Sequence, residues 1–352
     1  EKIQSVFDWV PAILLAYLIP AGISLLLGKD FSNADIHQYN KSLFIPLAII
    51  AVMSSLSLIE LKSIGWKPIF VFVVGSFWIA VFPILLAFLL LDSTLVTDLF
   101  IGQDYWKGLP TIVGSWIGGS TSQLVLKEIV ECPENIFLVV LVLDNILVNI
   151  WTILMFQGIK KTAKLNKYLG ITNLSMPENI EKPEGPHLHP AYILMILLAC
   201  IGISHFLISS FILKIIVLSV LGLLFSNWIK IWNFEFALQL GSILILIVMA
   251  VLGLKLKFDG LVFNIELLGF LIIWLVSHFI IMLLAAKFVN LNAAWVPIAS
   301  MANVGGIATA PAVTAAYEKS WMPHAIILAI LSMATGTFWG MLTIYLFKNF
   351  VL

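Results

Sequence analysis

Long apolar runs separated by short polar stretches organise this chain. They fall at about 9–27, 43–60, 69–91, 135–156, 190–213, 215–232, 235–254, 265–289 and 323–347. Each approaches the ~20 residues that a helix needs to cross ~30 Å of hydrocarbon. The pattern predicts an all-α polytopic membrane protein. The run at 9–27 reads as a first span rather than a signal peptide. The run at 215–232 is the weakest, because Ser226, Asn227 and Lys230 crowd its end. Pro20, Pro46 and Pro83 lie inside runs and are expected to kink them. Trp9, Trp66, Trp106, Trp228, Trp232 and Trp321 sit near run edges, where an interfacial aromatic belt would place them.

Two stretches, 109–131 and 293–317, lie between these runs and break the pattern. The first contains Gly114-Ser115-Trp116-Ile117-Gly118-Gly119-Ser120-Thr121-Ser122-Gln123; the second contains Ala299-Ser300-Met301-Ala302-Asn303-Val304-Gly305-Gly306-Ile307-Ala308-Thr309-Ala310-Pro311. Each sets an aliphatic residue before Gly-Gly and places small or hydroxylated residues after it. A helix loses about 1 kcal/mol per glycine relative to alanine. Broken backbone at membrane depth persists only where protein or a water-filled cavity satisfies it. Paired interruptions in two halves of a chain are the sequence mark of a midplane binding site in a carrier. Close packing through small residues would explain the glycines, but less well the polar side chains beside them.

Each interrupted stretch is either one crossing or a re-entrant hairpin, giving about nine to eleven membrane segments in all. Five full runs separate the two stretches. Hairpins would therefore enter from opposite faces, as in an inverted repeat, and this is the favoured reading. The polar connection 157–189, with Lys160, Lys161, Lys164, Lys167 and Lys182, divides the chain into a first repeat at 1–156 and a second at 190–352. Its lysines place it in the cytoplasm by the positive-inside rule, in what is expected to be a bacterial inner membrane. A mobile core of 109–156 plus 293–352 is expected to work against a scaffold made of the rest.

Composition narrows the chemistry. The chain has 352 residues, 61% hydrophobic and 11% charged, with zero formal net charge, so nothing points to a nucleic-acid partner. All 19 basic residues are lysine, which removes the bidentate guanidinium clamp for carboxylate or phosphate. An anionic solute would rely on helix N-termini, backbone amides, hydroxyls or lysine. Cys132 and Cys200 suggest neither a disulfide framework nor a metal site. His187 and His189 read as solvated loop residues. His205 and His278 are lone span histidines, more in keeping with satisfied burial than with a relay. Glu128, Glu131 and Glu318 follow the interrupted stretches and are expected at the interface. No Walker loop, zinc motif, nucleophile elbow or haem motif is present, so neither an enzyme nor a cofactor is expected.

Asp144 lies in the middle of the 135–156 run. An intramembrane carboxylate is costly unless it faces a partner or cavity, and by default marks an ion or proton site. Asn145 follows it, and Asn149 lies one turn beyond Asn145. Together the three supply the hard oxygens that suit a small cation, here Na⁺ or H⁺. A protonated Asp144 used only for packing is the alternative. At the corresponding place after the second Gly-Gly stand Ser332, Thr335 and Thr337. The solute is expected at Ser115, Gly118, Gly119, Ser120, Thr121, Ser122 and Gln123, opposite Asn303, Gly305, Gly306, Thr309, Ser332, Thr335 and Thr337.

These two stretches, the Asp144-Asn145 pair and Gly336-Thr337-Phe338-Trp339-Gly340 resemble the YjcL-like integral membrane family, known only as a domain of unknown function. Many members have Gly-Gly-Pro at the second stretch, where this chain has Ile307 and carries proline later, at Pro311. More distantly the layout is similar to the glutamate and citrate sodium symporters and the bile-acid symporters. That likeness implies a mobile core of interrupted segments moving against a scaffold. The expected function is Na⁺- or H⁺-coupled symport of a small polar organic solute: an amino acid, short peptide or carboxylate. The alternatives are a cation/proton antiporter and a non-transporting scaffold or receptor. The expected partners are the lipid bilayer and the solute, with a homodimer left open.

Overall fold

The computed structural model describes residues 12–55, 64–174, 177, 187–254 and 264–352, apart from the side chains of 12–14 and 308. Its regular elements are all helices. Seven are long and apolar enough to cross a bilayer among the described residues, and the chain is an integral, multi-pass membrane protein. They coincide with seven of the nine apolar runs. The other two, 9–27 and 43–60, contain the helices Ala12–Leu27 (α1) and Ile45–Met53 (α2) and extend onto residues outside the described set, Trp9 among them. The weakest run, 215–232, overlaps a full candidate span, Phe211–Trp228. Its polar end is satisfied internally, since Ser226 Oγ and Asn227 Nδ2 both donate to Leu223 O, at 3.0 and 2.7 Å.

The chain forms two compact units, each drawing on sequence from before and after the 157–189 connection. The first comprises 1–56, 132–142 and 184–262. It holds α1, α2 and the beginning of Glu134–Ile159 (α5), together with Pro190–Leu207 (α7), Phe211–Trp228 (α8) and Phe234–Gly253 (α9). Glycines let these helices approach closely, as expected where lipid offers no hydrophobic drive between helices. A Cβ on Gly222 would lie 2.8 Å from Met53 Cβ and 2.9 Å from Ile50 O. The Tyr17 hydroxyl is buried and donates to Glu134 Oε2 at 2.9 Å.

The second unit comprises 57–131, 143–183 and 263–352. It contains Trp66–Leu89 (α3), Gly108–Val130 (α4), the remainder of α5, Thr162–Leu169 (α6) and Ile265–Phe288 (α10). Trp295–Val304 (α11), Gly306–Ala315 (α12) and Met322–Phe350 (α13) complete it. The long α13 runs through its middle and packs on α3, α4, α11 and α12. Pro20 and Pro83 are accommodated inside α1 and α3, while Pro46 is the second residue of α2, directly after the π-helical turn Asn40–Phe44.

The aromatic-belt expectation requires exposed rings, and three of the tryptophans do not have them. Trp66 and Trp228 are 65% and 76% exposed. Trp106, Trp232 and Trp321 are buried, their rings packed on Phe347, Phe225 and Trp295. His205 is exposed near the C-terminal end of α7, contrary to the expectation of satisfied burial. His189 caps α7, accepting from Ala191 N at Nδ1.

Candidate functional site

Both Gly-Gly stretches interrupt their helices. In α4 the backbone at Gly119 turns to φ 67° and ψ −170°, a conformation open to glycine and strained for other residues. The chain then doubles back. A Cβ on Gly114 would sit 2.9 Å from Gln123 N and 2.6 Å from Leu126 Cδ1, although Gln123 lies beyond the turn. The second stretch breaks at Gly306, where φ is 69°. Its flanks also meet: Asn292 Nδ2 donates to Tyr317 Oη at 3.3 Å, and the Trp295 and Trp321 rings stack with centroids 5.0 Å apart.

α13 aligns the two stretches. At its N-terminal end, His324 lies edge-on to Trp295, at the base of the second stretch. At its middle, Ser332 Oγ contacts Asn303 Oδ1 (3.2 Å) and the Ile117 carbonyl, so one hydroxyl bridges both stretches. One turn later Gly336 crosses Gly118 backbone to backbone; a Cβ on Gly118 would lie 2.9 Å from Gly336 Cα. Thr337 Oγ1 donates to Ser122 Oγ at 3.0 Å. Further along, Gly340 faces Leu126 and Phe347 stacks on Trp106, just before α4. The stretches therefore run along α13 from opposite ends, and their turns meet at Ser332–Gly336.

Asp144 joins the first of these turns. Its carboxylate is 3% exposed. Oδ2 accepts from the Ser115 hydroxyl at 2.5 Å, and Oδ1 accepts from Trp116 Nε1–H at 2.6 Å. The two donors are neighbours on the arm leading to Gly118-Gly119. Gln123, on the returning arm, is also beside this carboxylate. Its Nε2 is buried. Trp116 is held in turn by Trp274 of α10, with ring centroids 4.7 Å apart.

The second turn is fixed through Asn303, which is 2% exposed. Its Oδ1 also accepts from Ser76 Oγ at 2.9 Å, and its Nδ2 donates to Phe72 O at 3.4 Å. The preceding turn of α11 is anchored by Trp151 Nε1, which donates to Ser300 Oγ at 3.0 Å. The base is tied down by Asn166 of α6: its Nδ2 donates to Asn292 Oδ1, and its Oδ1 accepts from Ala293 N. Part of the polar connection is thus packed rather than solvated.

The predicted residues do not all converge. Ser115 meets Asp144, Ser122 meets Thr337, and Asn303 meets Ser332. Gly118 and Thr121 are buried, while Gly119, Ser120, Gly305 and Gly306 are half-buried. Thr309 is half-buried, and its Oγ1 is enclosed without a hydrogen-bond partner among the described residues. Thr335 turns its hydroxyl back onto Leu331 O at 3.0 Å. Asn145 is half-buried and Asn149 is exposed. Sequence reasoning missed Trp116 as a carboxylate donor, Ser76 as a support for Asn303, and Lys127. The last is 4% exposed within α4, its Nζ 3.4 Å from Glu128 Oε1. His278 is fully buried, with Nδ1 3.2 Å from Gly75 O.

No curated protein and no solved structure matches this sequence. A family model does match, over residues 1–350. The chain belongs to the family described as protein of unknown function DUF819.

Proposed function

We propose that this protein is a secondary active transporter that couples a cation gradient to movement of a small polar organic solute. The observation carrying this reading is the meeting of two interrupted helices, arriving from opposite ends of α13, beside a buried carboxylate. Such opposed, broken segments are the architecture expected of inverted repeats that build a binding site at mid-membrane. The layout of the glutamate, citrate and bile-acid symporters supports the same reading by analogy, and analogy of layout does not name a substrate.

In this reading the stretches are re-entrant hairpins. The solute lies against Ser120, Thr121 and Ser122 of one turn and Asn303 and Thr309 of the other, with backbone amides freed at Gly119 and Gly306. Without arginine, an anionic group on the solute would be met by those amides and the helix N-termini behind them. Asp144 binds the coupling ion. Carboxylate and turns belong to one unit, which would carry ion and solute together during alternating access. The lysines of 157–189 put that connection in the cytoplasm.

A thermal-shift screen of purified protein against amino acids, dipeptides and carboxylates tests this reading and sorts the solute classes in one step. A ligand at a hundredfold excess over its Kd adds about 2.7 kcal/mol, a rise of a few degrees. The expected result is stabilisation by one chemical class, lost in Ser122→Ala and Thr309→Val. Stabilisation that persists undiminished in both variants would place the solute elsewhere.

A further inference from the structure

The carboxylate's surroundings discriminate between the two coupling ions. A hard cation is held by several oxygen lone pairs. Asp144 instead receives hydrogens. Trp116 Nε1–H, 2.6 Å from Oδ1, can only donate. The Gln123 side-chain amide beside the carboxylate is a further donor. Of the amide oxygens offered by sequence spacing, Asn149 is exposed and Asn145 is only half-buried, about 100° round the helix from Asp144.

Ser115 behaves differently from the other two. A hydroxyl donates to a carboxylate and accepts from a carboxylic acid with equal facility. At 2.5 Å from Oδ2, it can do either without moving a heavy atom. We propose that Asp144 and Ser115 form a proton-binding pair, with Trp116 holding the opposite carboxylate oxygen, and that Na⁺ is not bound there. This rests on the transporter reading for its role in coupling. A proton arriving on Oδ2 turns the Ser115 hydroxyl from donor to acceptor, and its departure reverses the turn. Charge changes by one unit and no other covalent bond is made or broken.

Three other titratable groups buried on these helices are engaged elsewhere. His278 of α10 is on Gly75 O, His324 of α13 packs against Trp295, and Lys127 pairs with Glu128 on α4. Ser115, Trp116 and Gln123, which act on Asp144, carry no charge.

Infrared difference spectroscopy of the full-length protein in lipid nanodiscs reads this site without any solute. The carbonyl stretch of a protonated carboxyl should appear on acidification and be missing in Asp144→Asn. It should be the same in NaCl and N-methyl-D-glucamine chloride. Ser115→Ala, which retains the carboxylate, should displace the midpoint by about one pH unit, the size expected for loss of a charge-assisted hydrogen bond. Trp116→Phe should also displace it. A band that NaCl suppresses, or a midpoint indifferent to Ser115→Ala, overturns the proposal. Because no transport is measured, a protein with this titration but no uptake keeps the proton site and loses the carrier reading.

Discussion

Gly336→Leu is expected to unfold or misassemble the second unit, and Gly336→Ala to destabilise it by about 3 kcal/mol or more, the upper end for overpacking. A Cβ on Gly336 would collide with the Gly118 backbone and come within 3.0 Å of Ser122 Oγ. Backbone cannot rotate away as a side-chain end can. The same crossing predicts a large loss for Gly118→Ala, whose Cβ would overlap Ser122 and approach Gly336 Cα at 2.9 Å. Gly269 gives a control on α10, because a Cβ there meets nothing within 4 Å. Thermal unfolding in detergent should separate the pair from Gly269→Ala by many degrees. Equal melting temperatures for Gly269→Ala and Gly336→Ala would mean that the turns do not meet on α13.

Asp144→Asn is expected to leave the protein folded and to abolish gradient-driven accumulation, a loss of about 100-fold if the coupling energy is near its usual upper range. Asparagine keeps the shape of aspartate and accepts from Trp116 or Ser115 through one oxygen, but carries no exchangeable charge. The structural alternative, a carboxyl used only for packing, predicts destabilisation with normal transport by whatever protein survives. Proteoliposomes loaded with a pH dye, supplied with the solute class found by thermal shift, separate the two. Undiminished driven uptake by Asp144→Asn would remove Asp144 from the mechanism. Uptake falling with Trp116→Phe as well would show that the indole donor is part of it.

Much of this arrangement could be read along the chain, because the membrane makes local pattern informative. Charge in the middle of an apolar run singled out Asp144, and adjacent glycines among hydroxyls singled out both turns. The odd number of runs between the stretches led to the expectation of opposed hairpins. Pairings across large sequence separations were not legible. Nothing local to Trp116 says that its indole faces a residue 28 positions away, or that Ser76 supports Asn303 across 227 positions.

Helical spacing also misled where it described a face without saying what the face meets. Asn145 and Asn149 share one side of α5, about 100° and 140° round the helix from Asp144, and Asn149 is exposed. Trp106 and Trp321 looked like interfacial anchors from their place at run edges. They are instead packed at the bases of the two stretches, on Phe347 and Trp295. An edge position in sequence leaves open whether the ring points to lipid or into protein.

The central claim is that both turns line one polar site reached alternately from the two sides of the membrane. Single cysteines at Ser120 and Thr309, introduced after Cys132 and Cys200 are replaced by serine, test it in oriented vesicles with a membrane-impermeant thiol reagent. The account predicts labelling of each cysteine from either side, with protection by the solute class found to stabilise the protein. Cysteines at both turns that react from neither side, or from one side only, would contradict it.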